Sequence, residues 1–498
     1  MRGGRVFKNV PVFVLLALVA TAAAPARAAD LFLSDEPEIY AAIDKLNASG
    51  YLPGLLANTR PYSMQAVRAA AADASRQSMA SGFDGELLRW VSAYTAPKTM
   101  GRMTAAVSHS DARFLPPNNE GIPTPKGWGA LAGFSAREEK TPELGAQFRA
   151  VSFLGEGDDE GNRVLDASLE GGHKYFALQA GKLSAWYGPG RRGALILTNN
   201  AAPYPGVRVH NTEPIPMTGW FSFLGNLQYD VFVARMEKKP RYSHSKLVGT
   251  RLAARPKPWL EIGITRIMHY GGDGRSNGVS EFLTAYGGNN DPSDRSNTLA
   301  GYDITLTLPF PSQPVQAYWD RAGEGDNRLL GTGFPWPSQW GNILGLYFPS
   351  VAGISRLDLR AEYADTYSGY ARTATWYDHS AYDHKYRGNV LGHPMGGGSR
   401  DWFVGSRYYI LPSTFAEISY ENILHDRGVQ SSIGSPGERR TRYSAGLTGW
   451  LTPSWRAEAR AATDSVTGQG GIPGSEGTDF SAWLALSYQA TSLSDQAE

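Results

Sequence analysis

Eight residues of this chain carry side chains suited to holding a sugar polymer. Six fall in the stretch KLSAWYGPGRRGALILTNN, Lys182 to Asn200: Trp186, Tyr187, Arg191, Arg192, Asn199 and Asn200. Trp376 and Tyr377 form a second aromatic pair further along. Aromatic faces pack against the C–H faces of pyranose rings, while guanidinium and amide groups hydrogen-bond hydroxyls and acidic substituents. Trp336, Trp340, Tyr382 and Tyr386 are loop aromatics of the same kind. The same residue types also serve an aromatic girdle or a loop packed on itself. Spacing alone leaves open whether Arg191 and Asn199 touch a sugar or tie a loop.

Other chemistries find less support. Gly188-Pro189-Gly190-Arg191-Arg192 lacks the Gly-Lys-Ser/Thr of a phosphate-cradling loop. No Gly-x-Ser-x-Gly elbow and no His-Glu-x-x-His occurs. His379, His384 and His393 share one loop-like stretch, but their spacing matches no metal site, and solvated loop histidines are expected. Cysteine is absent, which removes disulfide and thiolate-metal frameworks. The expectation is a protein without catalytic residues, metal or cofactor. An outer-membrane hydrolase stays open as an alternative, because Ser, His and Asp can converge from separate strands.

The elements that must position these residues come in two kinds. Residues 31–95 read as helical. Ser34 and Asp35 precede Ile39, Ala42, Ile43 and Leu46 at helical spacing, with a stop at Gly50. Ser63 can cap a second helix through Val67 and the alanine run, and a third is expected from Glu86 to Tyr94. Such a module has a thin core and must pack on the rest of the protein.

From about Met100 the apolar period becomes two. Leu357, Leu359, Ala361 and Tyr363 alternate with Arg356, Asp358, Arg360 and Glu362. Trp455, Ala457 and Ala459 alternate with Arg456, Glu458 and Arg460; Glu261 and Thr265 stand opposite Leu260, Ile262 and Ile264; and Glu417, Ser419 and Glu421 stand opposite Ala416, Ile418 and Tyr420. One face is apolar and the other charged. Short, often proline-bearing connections alternate with long Gly/Asn/Asp/Ser-rich ones, as in an antiparallel barrel of an outer membrane. Roughly 400 residues at about 22 per strand and connection give a barrel in the high teens of strands. A soluble sandwich or propeller would also alternate. The ion-paired charge blocks, which suit a hydrated lumen, and aromatics such as Trp259, Tyr363, Tyr420 and Trp455 favour the membrane barrel.

The N-terminus has the grammar of a secretory leader. Arg2, Arg5 and Lys8 precede the apolar run Val10 to Ala24 and the small-x-small site Ala26-Arg27-Ala28. A formal net charge of +1 over 498 residues gives no global field toward nucleic acid. The expected organisation is a leader over 1–28, a periplasmic helical module over 29–98, a barrel over 99–490 and a polar tail over 491–498. That tail, after Tyr488, departs from the usual aromatic barrel ending.

WYGPGRRGALILTNNAAPYPGVRV (Trp186 to Val209), EPIPMTGWFSFLGNLQYDVFVARME (Glu213 to Glu237) and the helical GYLPGLLANTRPYSMQAV resemble the capsule assembly Wzi family of outer-membrane proteins. The resemblance implies an eighteen-stranded barrel with a periplasmic helical bundle. It implies lectin-like binding of a capsular or exported polysaccharide at the cell surface, without catalysis. The expected partners are that polysaccharide, outer-membrane lipid and polysaccharide export machinery; the expected state is a monomer. A sugar-permeable porin is the first alternative, with Arg356, Asp358, Arg360 and Glu362 lining an aqueous path.

Overall fold

The computed structural model describes residues 32–493, apart from 34–35, 97, 142–143, 157–159, 240–241, 287–295, 312, 325–326, 329–334, 337–338, 367–375, 380, 426–434 and 436. The leader expected over 1–28 lies outside the described residues.

Three helices come first. α1 (Pro37–Ala48) starts on a proline, whose fixed φ suits a first turn, and buries Ile39, Ala42, Ile43 and Leu46. It stops before Gly50, whose φ of 82° only glycine adopts freely. α2 (Met64–Arg76) is capped by Ser63, whose Oγ accepts from the Ala66 amide at 3.2 Å. α3 (Gly82–Thr95) starts a turn before the expected Glu86. Its Phe83 is buried with the rest of the apolar face, and that contact extends the helix. The module's core is shared with the barrel: Ile39, Leu46, Val67, Leu87 and Val91 cluster with Tyr409, Phe415 and Trp450.

Eighteen antiparallel strands close into the barrel. Lys98–Ser110 and Glu476–Leu493 make the seam, in register from Lys98↔Leu493 to Ser110↔Ser481. The closing strand therefore runs past the expected end at 490. Thr491, Ser492 and Leu493 belong to the ladder, because Met100, Thr99 and Lys98 offer them paired backbone groups; 494–498 lie outside the described residues.

The period-two pattern sorts the faces. On Leu357–Asp365, Asp358, Arg360 and Glu362 are buried inside, while Leu359, Ala361 and Tyr363 look outward. Ile264, Leu344, Ile418 and Leu484 stand exposed on the outer face. The ring pairs Tyr363–Trp402 at 4.5 Å, Trp455–Tyr488 at 5.0 Å and Tyr420–Tyr443 at 5.3 Å lie on the same face. An apolar belt with aromatic rims is the surface a bilayer covers. Among the described residues no helix is long and apolar enough to cross a membrane; the strands do the crossing. Short turns such as 174–175, 258–259 and 412–413 lie at the end that holds the helices, and longer connections such as 184–203 leave from the other.

The lumen differs from the hydrated one expected. Its charges are buried, some paired within the wall and others with the N-terminal module. Arg456 Nε meets Glu38 at 2.6 Å, Arg102 pairs with Glu36, and Lys45 Nζ donates to the Pro349 carbonyl. Arg356, grouped in sequence with the lumen charges, instead faces Glu86 of α3 at 3.7 Å. Helices wedged into a barrel mouth displace water, and a strand charge without water requires a counter-charge.

Arg456→Met should leave Glu38 buried without its cation and destabilise the folded protein by about 3–5 kcal/mol. Thermal unfolding in detergent, followed by gel mobility, measures this; the double change Glu38→Gln/Arg456→Met should recover part of the loss.

Candidate functional site

The connection 184–203 does not rise outward from the strand Phe176–Leu183. It turns into the lumen. Trp186 and Tyr187 pair antiparallel with Arg60 and Thr59, and Gly188, at φ 139°, donates to the Asn58 carbonyl at 2.9 Å. The two arginines then bracket the Glu362 carboxylate. Their amides donate to its two oxygens at 2.7 and 2.9 Å. The Arg191 side chain reaches Asp44 of α1 at 2.6 Å, and that of Arg192 pairs with Glu421. Ala194 to Leu197 are buried. Gly193 is required because a Cβ there would come within 2.1 Å of the His393 ring.

Asp44 is the hub. Arg60 lies 2.7 Å from it, Arg191 2.6 Å and Arg360 3.8 Å. Burial alone would raise the Asp44 carboxyl; the three guanidiniums outweigh it and hold the group well below the usual carboxylate range. Its contribution to stability is therefore complete above the ordinary carboxylate pKa of about 4 and lost only in stronger acid.

The described residues of the stretch 376–398 also fold inward. Trp376, Tyr377, Tyr382 and Tyr386 are buried, as are His384 and His393. The expectation of solvated loop histidines is thus corrected. The loop supplies the lumen's packing, and its rings fill space that charged strands leave open. The Tyr377 hydroxyl donates to the Leu195 carbonyl at 2.5 Å and accepts from the His393 amide at 3.1 Å. Asn200 Nδ2 donates to the Val390 carbonyl at 3.0 Å, and the Thr198 amide to Leu391 at 2.7 Å. His384 Nε2 faces the Ile196 carbonyl at 2.6 Å and so carries the proton; Nδ1 then accepts from His269 Nε2 at 3.2 Å. Among the described residues no group of three or more His, Cys, Asp or Glu is placed to hold a metal.

Two of the eight sequence-selected residues, Trp186 and Asn199, line a small cleft of about 70 Å³ between the helical module and the wall. Tyr40, Gln147, Gln179 and Lys182 line it too. Tyr187, Arg191, Arg192, Asn200, Trp376 and Tyr377 are not among its lining; they are engaged in the ties and packing described above. Gln147, Gln179 and Lys182 escaped selection because a single polar residue in an alternating strand looks like any other. Among the described residues Lys182 is half-buried and makes no ion pair. Arg149 and Arg208 are paired with Glu120 and, at 3.3 Å, with Asp230.

These features define a transmembrane β-barrel of the outer-membrane type, filled by its own helices and inward loops. More particularly, the chain belongs to the capsule assembly protein Wzi family, whose model matches residues 95–469. An uncharacterized 55.8 kDa protein in the cps region of Klebsiella pneumoniae is 31% identical over 183 residues, which span 35% of this chain and 36% of that one. Wzi of Escherichia coli, described as a carbohydrate-binding outer-membrane barrel involved in group 1 capsule assembly, covers 93% of this chain over 99% of its own at TM-score 0.74 and 20% identity. At that identity the agreement is one of fold.

Burial depresses His384 to about 4, while burial and then the Arg192 charge depress His393 to about 3. Both are neutral when folded. As pH falls below the ordinary histidine value of about 6.5, the unfolded chain takes up protons that the folded one refuses. Stability should then fall by up to about 1.4 kcal/mol per pH unit per histidine, down to the folded values. Protection factors of the amides at 381–398, taken against the intrinsic exchange rate at each pH, should fall between pH 7 and pH 4 and hold steady in a His384→Phe/His393→Phe variant.

Proposed function

We propose that this protein binds capsular or exported polysaccharide at the outer membrane and helps attach or organise it at the cell surface, with the barrel as anchor. What carries the reading, within a capsule assembly family, is the filled lumen. A porin needs an open aqueous path, whereas here Asp44, Glu362 and Glu421 pin the segment 184–203 across the barrel. The family relative described as carbohydrate-binding supports the same ligand class.

Within this reading, Trp186 supplies a ring edge to a sugar in the cleft, with Asn199, Gln147, Gln179 and Lys182 as polar contacts. Arg191, Arg192, Asn200, Trp376, Tyr377 and Tyr187 hold the shape of the site. No step of bond chemistry is assigned. The leader 1–28 directs export, the module 29–98 faces the periplasm and export machinery, and the protein acts as a monomer.

A deletion strain should release polysaccharide into the medium that the parent retains; unchanged retention would sink the proposal. Lys182→Gln should weaken binding of purified polymer about three- to tenfold, about 0.7–1.4 kcal/mol, with an unchanged unfolding temperature. In planar bilayers the purified protein should give no steady conductance, and Asp44→Ala, which removes the carboxylate shared by three arginines, should give intermittent openings.

A further inference from the structure

The strand Tyr204–His210 is short, and the chain leaves the barrel ladder after it. Asn211 replaces the lost backbone pairing: its Oδ1 accepts from the Tyr229 amide at 2.7 Å, and its Nδ2 donates to the Glu213 carbonyl at 2.7 Å. The chain then makes a single 3-10 turn, Gly219–Leu224, in which no residue is buried. Trp220 is 96% exposed, Phe223 67% and Phe221 59%. From Pro214 to Tyr229 there is no charged residue. Three large rings on one short turn, exposed and uncharged, are not left in water without a reason.

Register gives the height of this turn. Asn226 pairs with Arg255, two residues before the strand Lys246–Lys257 ends. The turn therefore sits level with the connection 258–259 and its exposed Trp259, at the end of the barrel that holds the helices. Around the same rim stand Tyr175 and Phe176, also exposed, and the Tyr229 hydroxyl donates to the Tyr175 carbonyl at 2.8 Å. Above the rim the belt continues through Val207, Val231, Val233 and Leu252. The patch is thus continuous with the lipid-covered face and lies where its apolar depth meets the headgroups. Trp220, Trp259 and Tyr175 carry a polar edge and settle at that depth, Phe221 and Phe223 add apolar surface beside them, and headgroups can accept the amides that a 3-10 turn leaves open.

We propose that Gly219–Leu224 is an interfacial foot, inserted by Trp220, Phe221 and Phe223 into the periplasmic leaflet of the outer membrane, whose phospholipid is its partner. It anchors the wall at the point where the short strand interrupts the ladder, and so fixes the depth of the barrel on that side.

The absence of cysteine makes the test direct. Ser222→Cys keeps all three rings and accepts a single nitroxide label. The full-length protein is reconstituted in phosphatidylcholine/phosphatidylglycerol vesicles, and collision with oxygen and with a water-soluble nickel chelate is measured. Oxygen accessibility should exceed nickel accessibility at least threefold, and the ratio should invert in a Trp220→Asp/Phe221→Asp/Phe223→Asp background. Heat-modifiable gel mobility verifies that this background is folded. A label that collides preferentially with nickel while the rings are present would overturn the proposal. So would a photocrosslinker at Phe221 that captures, in cells, a protein and no lipid. Polymer binding by the purified protein is read separately and does not depend on the foot.

Discussion

One requirement organises the molecule: a charged barrel interior that excludes bulk water must find its counter-charges within the chain. The inward face of the strands carries Arg102, Arg251, Arg255, Arg360, Asp303, Glu261, Glu362 and Glu421, all buried. An uncompensated charge in such a setting costs several kcal/mol, and opposite partners in hydrogen-bonding geometry offset that cost. Arg255 meets Glu261 at 2.7 Å and Arg251 meets Asp303 at 2.7 Å within the wall. The remaining partners come from segments that have no place in a simple barrel: Glu36 and Asp44 of the N-terminal module and the inward connection 184–203.

Asp44 shows how the segments depend on one another. It accepts Arg60 from the lead-in, Arg191 from the inward connection and Arg360 from the wall. Removing any one of the three pieces leaves the other two with a charge imbalance. The same logic makes Glu362 a receptor for two successive backbone amides, since a carboxylate with two oxygens can hold one turn of chain by both. The outcome is a wall, a lower plug and an upper plug whose positions are set together. The cleft beside Trp186 is the space left between them, so its shape is a property of the assembly rather than of any one loop.

Much of this was legible in the residues alone. The helices of the N-terminal module stem from Ile39, Ala42, Ile43 and Leu46 and from the Ser63 cap. The strands stem from alternation as strict as Asp358, Arg360, Glu362. The central block from Trp186 to Asn200 marked itself by composition and lies at the heart of the structure. Its role was not legible. Trp376 and Tyr377 have the composition of a ligand platform and are the packing of a plug, because a buried ring and a sugar-binding ring are chemically the same until their neighbours are known.

By itself the sequence determined what is local or periodic: helix against strand, the apolar and charged faces, the stops, the change of grammar from about Met100. The tertiary structure decided what is neither. Arg191 meets Asp44 across 147 positions, and Arg456 meets Glu38 across 418. A pairing at such a separation leaves no repeat in the sequence. A glycine- and asparagine-rich connection reads alike whether it extends outward into water or folds inward. Only the set of counter-charges waiting inside the closed barrel selects the second course, and that set exists only once the eighteen strands have closed.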